Sequence, residues 1–367
     1  MEQNNQTVVR EFMLLGFTSQ WVVKMSLFLV FLIMYTTSLV ANSLIVALTL
    51  LDPQLHTPMY FFLCNLSCLE VFYTSVTVPK MLSNFLSRRP SITVGGCIAQ
   101  YYFFFSLGAT ECFLLATMAY DRYLAICNPL QYSGLMNHRL SLNLAIACWV
   151  CGFLSPLLPT LMISKLPFCG PDQIDHFFCD ADPLFQLSCA DTYIQQVAGY
   201  TLTSVVILCS FTFTIASYVH IVRALLKMSS GKEWKKPFST CASHLTVVSI
   251  YYGTIIFMYV RPGVNQSFNL GKVVSVFYTV VTPLINPMIY SLRNREIKKA
   301  LRKALSPKRF LLQFFYLEYL ICFVSRLPCQ NRQDQPKQNS KVNLYCPIRM
   351  DRYLVIIIDI FGAQLAN

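Results

Sequence analysis

Seven stretches of this chain are each long and apolar enough to cross a lipid bilayer, and nothing else in it constrains the fold as tightly. They are residues 25–51, 59–79, 97–120, 141–164, 193–219, 238–260 and 273–292. A hydrocarbon core about 30 Å thick needs about 20 apolar residues in a helix. Water is absent there, so each backbone N–H and C=O must be satisfied within the segment, which makes the runs helical. Four of the runs carry no Asp, Glu, Lys, Arg or His; the others hold only Glu70, Glu111 and His244. The whole chain is 55% hydrophobic and 13% charged, with a mean hydropathy of +0.49. Soluble chains carry about 25% charged residues, so composition overrides the two or three soluble domains that length alone suggests. The expected class is an all-α membrane protein, a seven-transmembrane helix bundle followed by a short cytoplasmic amphipathic helix.

Charge sets the orientation. Lys and Arg collect in cytoplasmic loops. With the N-terminus outside, residues 122–140, 220–237 and 293–309 face the cytoplasm and hold 15 Lys and Arg, against eight in 1–24, 80–96, 165–192 and 261–272. The loop 165–192 carries five Asp and one Lys. The expected organisation is an extracellular segment 1–24, a receptor-sized bundle 25–292, a cytoplasmic helix 293–305 and an atypical tail 306–367. The net charge of +12 then belongs mostly to the inner membrane surface, where basic residues meet anionic lipid. No soluble basic domain exists to bind nucleic acid. Residues 1–24 lack the apolar core of a cleavable signal peptide. Asn5-Gln6-Thr7 is a glycosylation sequon on the outer face. Asn265-Gln266-Ser267 also matches but lies close to the membrane, and Asn65-Leu66-Ser67 lies inside a span.

Four short words identify the bundle further. They are Pro58-Met59-Tyr60-Phe61-Phe62-Leu63, Met118-Ala119-Tyr120-Asp121-Arg122-Tyr123, Phe238-Ser239-Thr240-Cys241-Ala242-Ser243-His244-Leu245 and Pro287-Met288-Ile289-Tyr290-Ser291-Leu292-Arg293-Asn294. In these words and their order the chain resembles the vertebrate olfactory receptors, a family of rhodopsin-like G-protein-coupled receptors. The resemblance covers roughly residues 8–306. It implies a plasma-membrane, multi-pass receptor with an extracellular N-terminus. Its partners would be a small odorant, membrane lipid and a heterotrimeric G protein of the stimulatory olfactory type, which raises cyclic AMP.

Residue roles follow from the same resemblance. Of fifteen Cys, only Cys97, Cys169, Cys179 and Cys189 fall on the outer side, where disulfides persist. Four Cys allow three pairings, and the resemblance favours Cys97–Cys179 and Cys169–Cys189. The other Cys, among them Cys64, Cys148 and Cys209, read as small buried hydrophobes. His176 precedes Cys179 by three residues, but a disulfide there removes the thiolate that a metal would need. Asp121, Arg122 and Tyr123 end the third span. The resemblance makes Arg122 a switch that pairs with Asp121 at rest and swings toward the G protein and Tyr218 on activation. His244 is a latch in the cytoplasmic half of the sixth span, whose helix is expected to start at Pro237, where the family usually has Ala. Asn286, Pro287 and Tyr290 form the deformable part of the seventh span, since Pro removes a backbone donor. Asn42 follows Ala41 where the family usually has Gly, and is available to bond across helices. The resemblance also sets Glu70 and Glu111 face to face in mid-bundle. Two carboxylates cannot both be charged and unpaired there. One holds a proton, a cation such as sodium sits between them, or the pair is neutral and supports packing. Many relatives carry Asp in place of Glu70. No other cofactor is implied.

The outer halves of the third, fifth, sixth and seventh spans should enclose the ligand. Candidate contacts are Phe104, Phe105, Gly108, Ala109, Cys112, Leu202, Val206, Tyr252, Ile255, Tyr259 and Thr279. None is charged, and Phe104 stands where an amine receptor needs a carboxylate. Apolar pockets with few polar groups suit small neutral volatiles, bound weakly because little area is buried. Tyr259 or Thr279 could offer a hydrogen bond. No nucleophile–base pair, metal-ligand spacing or phosphate-binding glycine loop suggests an enzyme. Rival readings are a chemoreceptor for an internal metabolite outside the nose, an isoform made non-functional by its tail, and a transporter using Glu70 and Glu111. The transporter predicts inverted repeats, and none is visible between the halves. The tail holds an apolar stretch at 310–324, too short for a further span, and its Asp351-Arg352-Tyr353 lacks the helical context of the first triplet. Deleting 306–367 is expected to leave or improve surface delivery.

Overall fold

A computed structural model describes residues 9–18, 20–169, 172–227, 235–260 and 268–304. The chain divides into a body of residues 1–298 and a second unit, 299–367, of which only 299–304 are among the described residues. Asn5, Asn265 and the tail 306–367 lie outside them. In the body, strand β1 (Glu11–Leu14) precedes helices α1 (Trp21–Leu51), α2 (Pro58–Leu86), α3 (Val94–Cys127, after strand β2, Ser91–Thr93), α4 (Pro129–Leu135), α5 (His138–Leu154) and α6 (Leu157–Ser164). Strand β3 (Gln173–Ile174), α7 (Ala181–Gln186), α8 (Tyr193–Lys227), α9 (Lys235–Tyr259), α10 (Phe268–Val276) and α11 (Thr282–Arg293) follow. Helix α12 (Arg295–Ala304) corresponds to the amphipathic segment. Seven helical segments are long and apolar enough to cross a membrane: α1, α2, α3, α5 with α6, α8, α9, and α10 with α11.

The core is apolar, but so are the outward helix faces, and several polar side chains are buried. Leu29, Ile33, Val40, Val150, Leu154, Val205 and Val222 lie exposed on helix faces that would meet lipid, while Asn42, Glu70, Thr74, Thr110, Glu111, Thr214 and Asn286 are buried. Cys209, expected inside, is exposed, because α8 turns that face away from the bundle; lipid tolerates a thiol as readily as the core does. Cys148 is buried.

Pro156 and Pro287 each leave a carbonyl without its helical donor, and each of these carbonyls finds another. A proline lacks the N–H that would bond the carbonyl four residues earlier. Pro156 parts α5 from α6, so the fourth run is two helices rather than one. The freed Gly152 carbonyl accepts from Ser155 Oγ at 3.1 Å. Pro287 frees the Pro283 carbonyl, which accepts from Ser38 Oγ at 3.1 Å and Asn42 Nδ2 at 3.0 Å. That bond ties α1 to α11 at the one place where α11 lacks its own ladder. Between α10 and α11 lies a π turn, Phe277–Val281. Helix α9 begins at Lys235, two residues before the expected Pro237; proline is tolerated anywhere in a first turn, where N–H groups have no intrahelical partner.

A small sheet that no strand pattern announced covers the end of the bundle where α3 begins. β1 pairs antiparallel with β2 and parallel with β3. Disulfides Cys97–Cys179 and Cys169–Cys189 anchor the same region. Phe17 stacks on Phe31, Phe85 and Phe177 at 5.7, 6.3 and 4.9 Å. Gly16, with φ +67°, makes the turn that brings Phe17 inward; its carbonyl accepts from Lys272 Nζ, which also pairs with Asp175 at 2.6 Å. The N-terminal segment is thereby pinned to α10.

Candidate functional site

Beneath this roof lies a cavity of about 60 Å³, several times the roughly 10–15 Å³ that one water requires. Phe104, Phe105, Gly108, Ala109 and Cys112 line it from α3, Leu202 and Val206 from α8, and Ile255 and Tyr259 from α9. Tyr252 and Thr279, also expected there, are not among its lining residues. Tyr252 points between helices and donates to the Cys112 carbonyl at 3.1 Å; Tyr251 takes the cavity face and donates to the Gly108 carbonyl at 2.8 Å. Thr279 bonds its own helix at Ser275 O, and Tyr278 lines the cavity instead. Each difference is one residue in phase, about 100° around a helix; at Thr279 the π turn supplies it. Tyr73, Tyr101, Ser155, Pro156, Pro159, Thr203 and Ile207 complete the wall, and no charged side chain lines it.

The roof over this cavity is well positioned. The Cys179 N–H donates to Gln100 Oε1 at 2.9 Å, and Gln100 Nε2 to the Val76 carbonyl at 3.0 Å. Asp180 begins α7 by accepting from the Ala181 N–H at 2.8 Å, and it also accepts from Tyr259 Oη at 3.4 Å. Burial, reinforced by the charge of Asp182, pushes the Asp180 carboxyl up to about 7. Sequence reasoning missed Asp180, although an Asp directly after a roof-forming Cys is a visible signal.

Halfway down, Glu70 and Glu111 are fully buried and within electrostatic reach of each other. Asn286 Nδ2 donates to Glu70 Oε1. Glu70 Oε2 and both Glu111 oxygens have no hydrogen-bond partner. Three such oxygens are the donor chemistry a hard cation takes. Among the described residues, no group of three or more His, Cys, Asp or Glu side chains is arranged to hold a metal.

A second cavity, of about 40 Å³, lies at the C-terminal end of α3, lined by Asp121, Arg122, Ser243, His244, Tyr290 and Asn294 among others. Arg122 forms an ion pair with Asp121, its Nε donating at 3.1 Å. Tyr132 of α4 donates to the other Asp121 oxygen at 2.7 Å, a partner the motif alone does not reveal. Tyr123 packs against His220. Tyr218 Oη lies 2.7 Å from His244 Nδ1 with the rings stacked, while the hydroxyl of Tyr290 is buried without a hydrogen-bond partner. Tyr60 donates to Asn294 Oδ1 at 3.0 Å, and the same oxygen accepts from the N–H groups of Glu296 and Ile297 at the start of α12.

Seven spans, an uncharged cavity beneath the sheet and a charged pair at the opposite end of α3 define a membrane protein of the seven-helix receptor class. The olfactory receptor family model matches residues 31–308. Human olfactory receptor 11H12 is 50% identical over 303 residues, 83% of this chain and 93% of that protein. Human olfactory receptors 11L1 and 6Q1 are each 50% identical, covering 84% and 82% of this chain and 96% of each relative. The chain belongs to the olfactory receptor family. It is a multi-pass membrane protein, and its relatives are receptors rather than enzymes.

Proposed function

We propose that this protein is an odorant receptor of the plasma membrane with its N-terminus outside. A small, mostly apolar volatile molecule binds in the outer cavity. Binding shifts an equilibrium between inactive and active forms by as much as the odorant prefers one form. The active form engages a stimulatory, olfactory-type G protein and raises cyclic AMP. The observation that carries this reading is the pairing of two cavities along α3, one uncharged and outer, the other containing Asp121 and Arg122. An apolar ligand gains affinity mainly by burial, and the lining carries no charge to bind an amine or a carboxylate.

In this reading the Asp121–Arg122 ion pair holds the inactive form. Its release lets Arg122 meet the G protein while Tyr218 leaves His244, and Tyr290 finds a partner. Asn286 and Pro287 give the seventh span its point of bending. Glu70 and Glu111 would hold a sodium ion through the three unpartnered oxygens, offsetting one carboxylate charge while Asn286 solvates the other group, or one of the two would hold a proton.

The test is cyclic AMP in cells expressing the full chain or Arg122→Ala, against a panel of small volatiles, with surface level quantified. A response that disappears in the variant at equal surface level is expected. An undiminished response in Arg122→Ala would sink the proposed coupling route.

A further inference from the structure

The roof of the outer cavity ends in a chain of hydroxyls that leads to one buried acid. Tyr259 Oη donates to Asp180 at 3.4 Å. Tyr259 Oη and Tyr278 Oη are 2.9 Å apart, and Tyr278 Oη and Ser275 Oγ are 2.8 Å apart. Tyr259 and Tyr278 both line the cavity. Asp180 is 6% exposed, and Ser275 and Tyr278 are fully buried, so solvent does not reset these bonds.

Each hydroxyl has one proton to give, and that fact fixes the direction of the chain. When Asp180 is a carboxylate it only accepts, so Tyr259 must spend its proton on Asp180. Tyr259 can then only accept, and takes the proton of Tyr278. Tyr278 in turn accepts from Ser275. Toward the cavity this end of the roof then offers lone pairs alone. An alcohol can donate to them, whereas a carbonyl oxygen meets oxygen with no proton between. When Asp180 is protonated it becomes a donor to Tyr259. The Tyr259 proton is released and can turn to a carbonyl in the cavity. Leaving a buried acceptor facing an acceptor carries the full desolvation cost of an unmade bond.

We propose that Asp180, acting through Tyr259 and Tyr278, sets the hydrogen-bond polarity of the odorant cavity: charged, it selects odorants that donate a hydrogen bond, and protonated, it admits odorants that accept one. This rests on the odorant-receptor reading above and names the ligand chemistry for that site. Asp180 is a positioning residue, since it touches the odorant only through the tyrosines.

The surroundings of Asp180 make both states accessible near neutral pH. Burial and Asp182, on its own helix, disfavour the charge; the Ala181 N–H and Tyr259 favour it. Asp182 itself accepts from Tyr200 of α8. Tyr101 approaches from α3 within electrostatic reach, and Tyr278 from the π turn. Lys272, the cation on α10, is committed to Asp175 and the Gly16 carbonyl.

The experiment uses the full chain in cells, with pairs of straight-chain alcohols and aldehydes of matched length as probes. Neither class titrates near neutral pH. Potency is read by cyclic AMP at an outside pH about one unit above and one unit below 7, normalised to direct cyclase activation. In the wild type the preference for alcohol over aldehyde should fall about three- to tenfold from the higher pH to the lower. Asp180→Asn places a permanent donor against Tyr259, so it should favour aldehydes at both pH values. Tyr259→Phe cuts the chain, and its preference should not respond to pH. A wild-type receptor that responds to both classes with a preference unmoved by pH overturns the proposal and leaves the receptor reading intact. If Asp180→Asn fails to reach the surface, the wild-type pH series and Tyr259→Phe still decide. Silence toward every alcohol and aldehyde at full surface level overturns this inference, and the wider panel of volatiles then decides the receptor reading separately.

Discussion

At the roof, His176 and Asp180 respond to pH with opposite sign. His176 is buried against Phe177 and Phe178 at 4.7 and 4.5 Å. Its Nδ1 accepts from the Phe178 N–H at 3.4 Å, and its Nε2 has no hydrogen-bond partner. Burial, with Lys272 adding to it, pushes the imidazole down to about 3. An unfolded His titrates near 6.5, so above that pH both states are neutral and the site keeps its full stability. As pH falls below about 6.5 the open chain takes a proton that the folded roof refuses, and stability is lost down to about pH 3. Asp180 runs the other way. Its carboxyl is raised, so its contribution is present below about 4 and is lost as pH rises through about 7. The two slopes largely cancel between about pH 4 and 6.5, and a mutant unmasks them. His176→Phe keeps the ring stacking and removes one slope. Its thermal stability in detergent should gain on the wild type as pH falls, by about 2 kcal/mol at pH 5. A constant gap between the two proteins from about pH 8 to 5 would show that His176 is not protonated on opening.

For the helices, the decisive contacts are those where backbones approach. Gly152 on α5 faces Thr110 of α3. A Cβ added there would meet Thr110 Oγ1 at 1.9 Å, its Cβ at 2.8 Å and its Cα at 2.9 Å. The last two are not the end of a flexible side chain, so the helices themselves must separate. Overpacking of this kind costs about 1–3 kcal/mol or more. Gly152→Ala should lose most surface delivery and lower the midpoint of thermal unfolding. Delivery at the wild-type level would mean that α3 and α5 are free to part, which their packing does not suggest. This contact also illustrates where sequence reading stops. The spans were legible because hydrophobic length is a local property, and the motif words contain Asp121, Arg122, His244 and Tyr290, which the structure brings to one cavity. Phase was not legible. Tyr251 and Tyr252 are chemically alike neighbours, and only the register of α9 against α3 decides which faces the ligand. The π turn at Phe277–Val281 has no periodicity to announce it, so Tyr278 was exchanged for Thr279. β1 is held by pairing with two loops distant in sequence, which no local pattern encodes.

On the scale of the whole molecule, the relatives and the chain differ in extent. The family match ends at residue 308, and 303 residues of this chain already cover 93% of olfactory receptor 11H12. That relative therefore has little that could correspond to residues 309–367. Among the described residues, the contacts that close the bundle are made before that point. The roof closes through β1, Phe17 and Lys272, the interior through Asn42 and Asn286, and the cavity at the far end of α3 through Asp121, Tyr132 and Asn294, all of them earlier than residue 295. A chain cut after residue 308 should therefore reach the surface at least as well as the full chain, and answer the same odorants with the same relative potencies. Surface labelling and cyclic AMP measured side by side decide this. A truncated receptor that is retained inside the cell would show that the bundle depends on the segment its relatives lack. One that is delivered normally but signals more strongly would assign that segment an inhibitory effect on coupling rather than on folding.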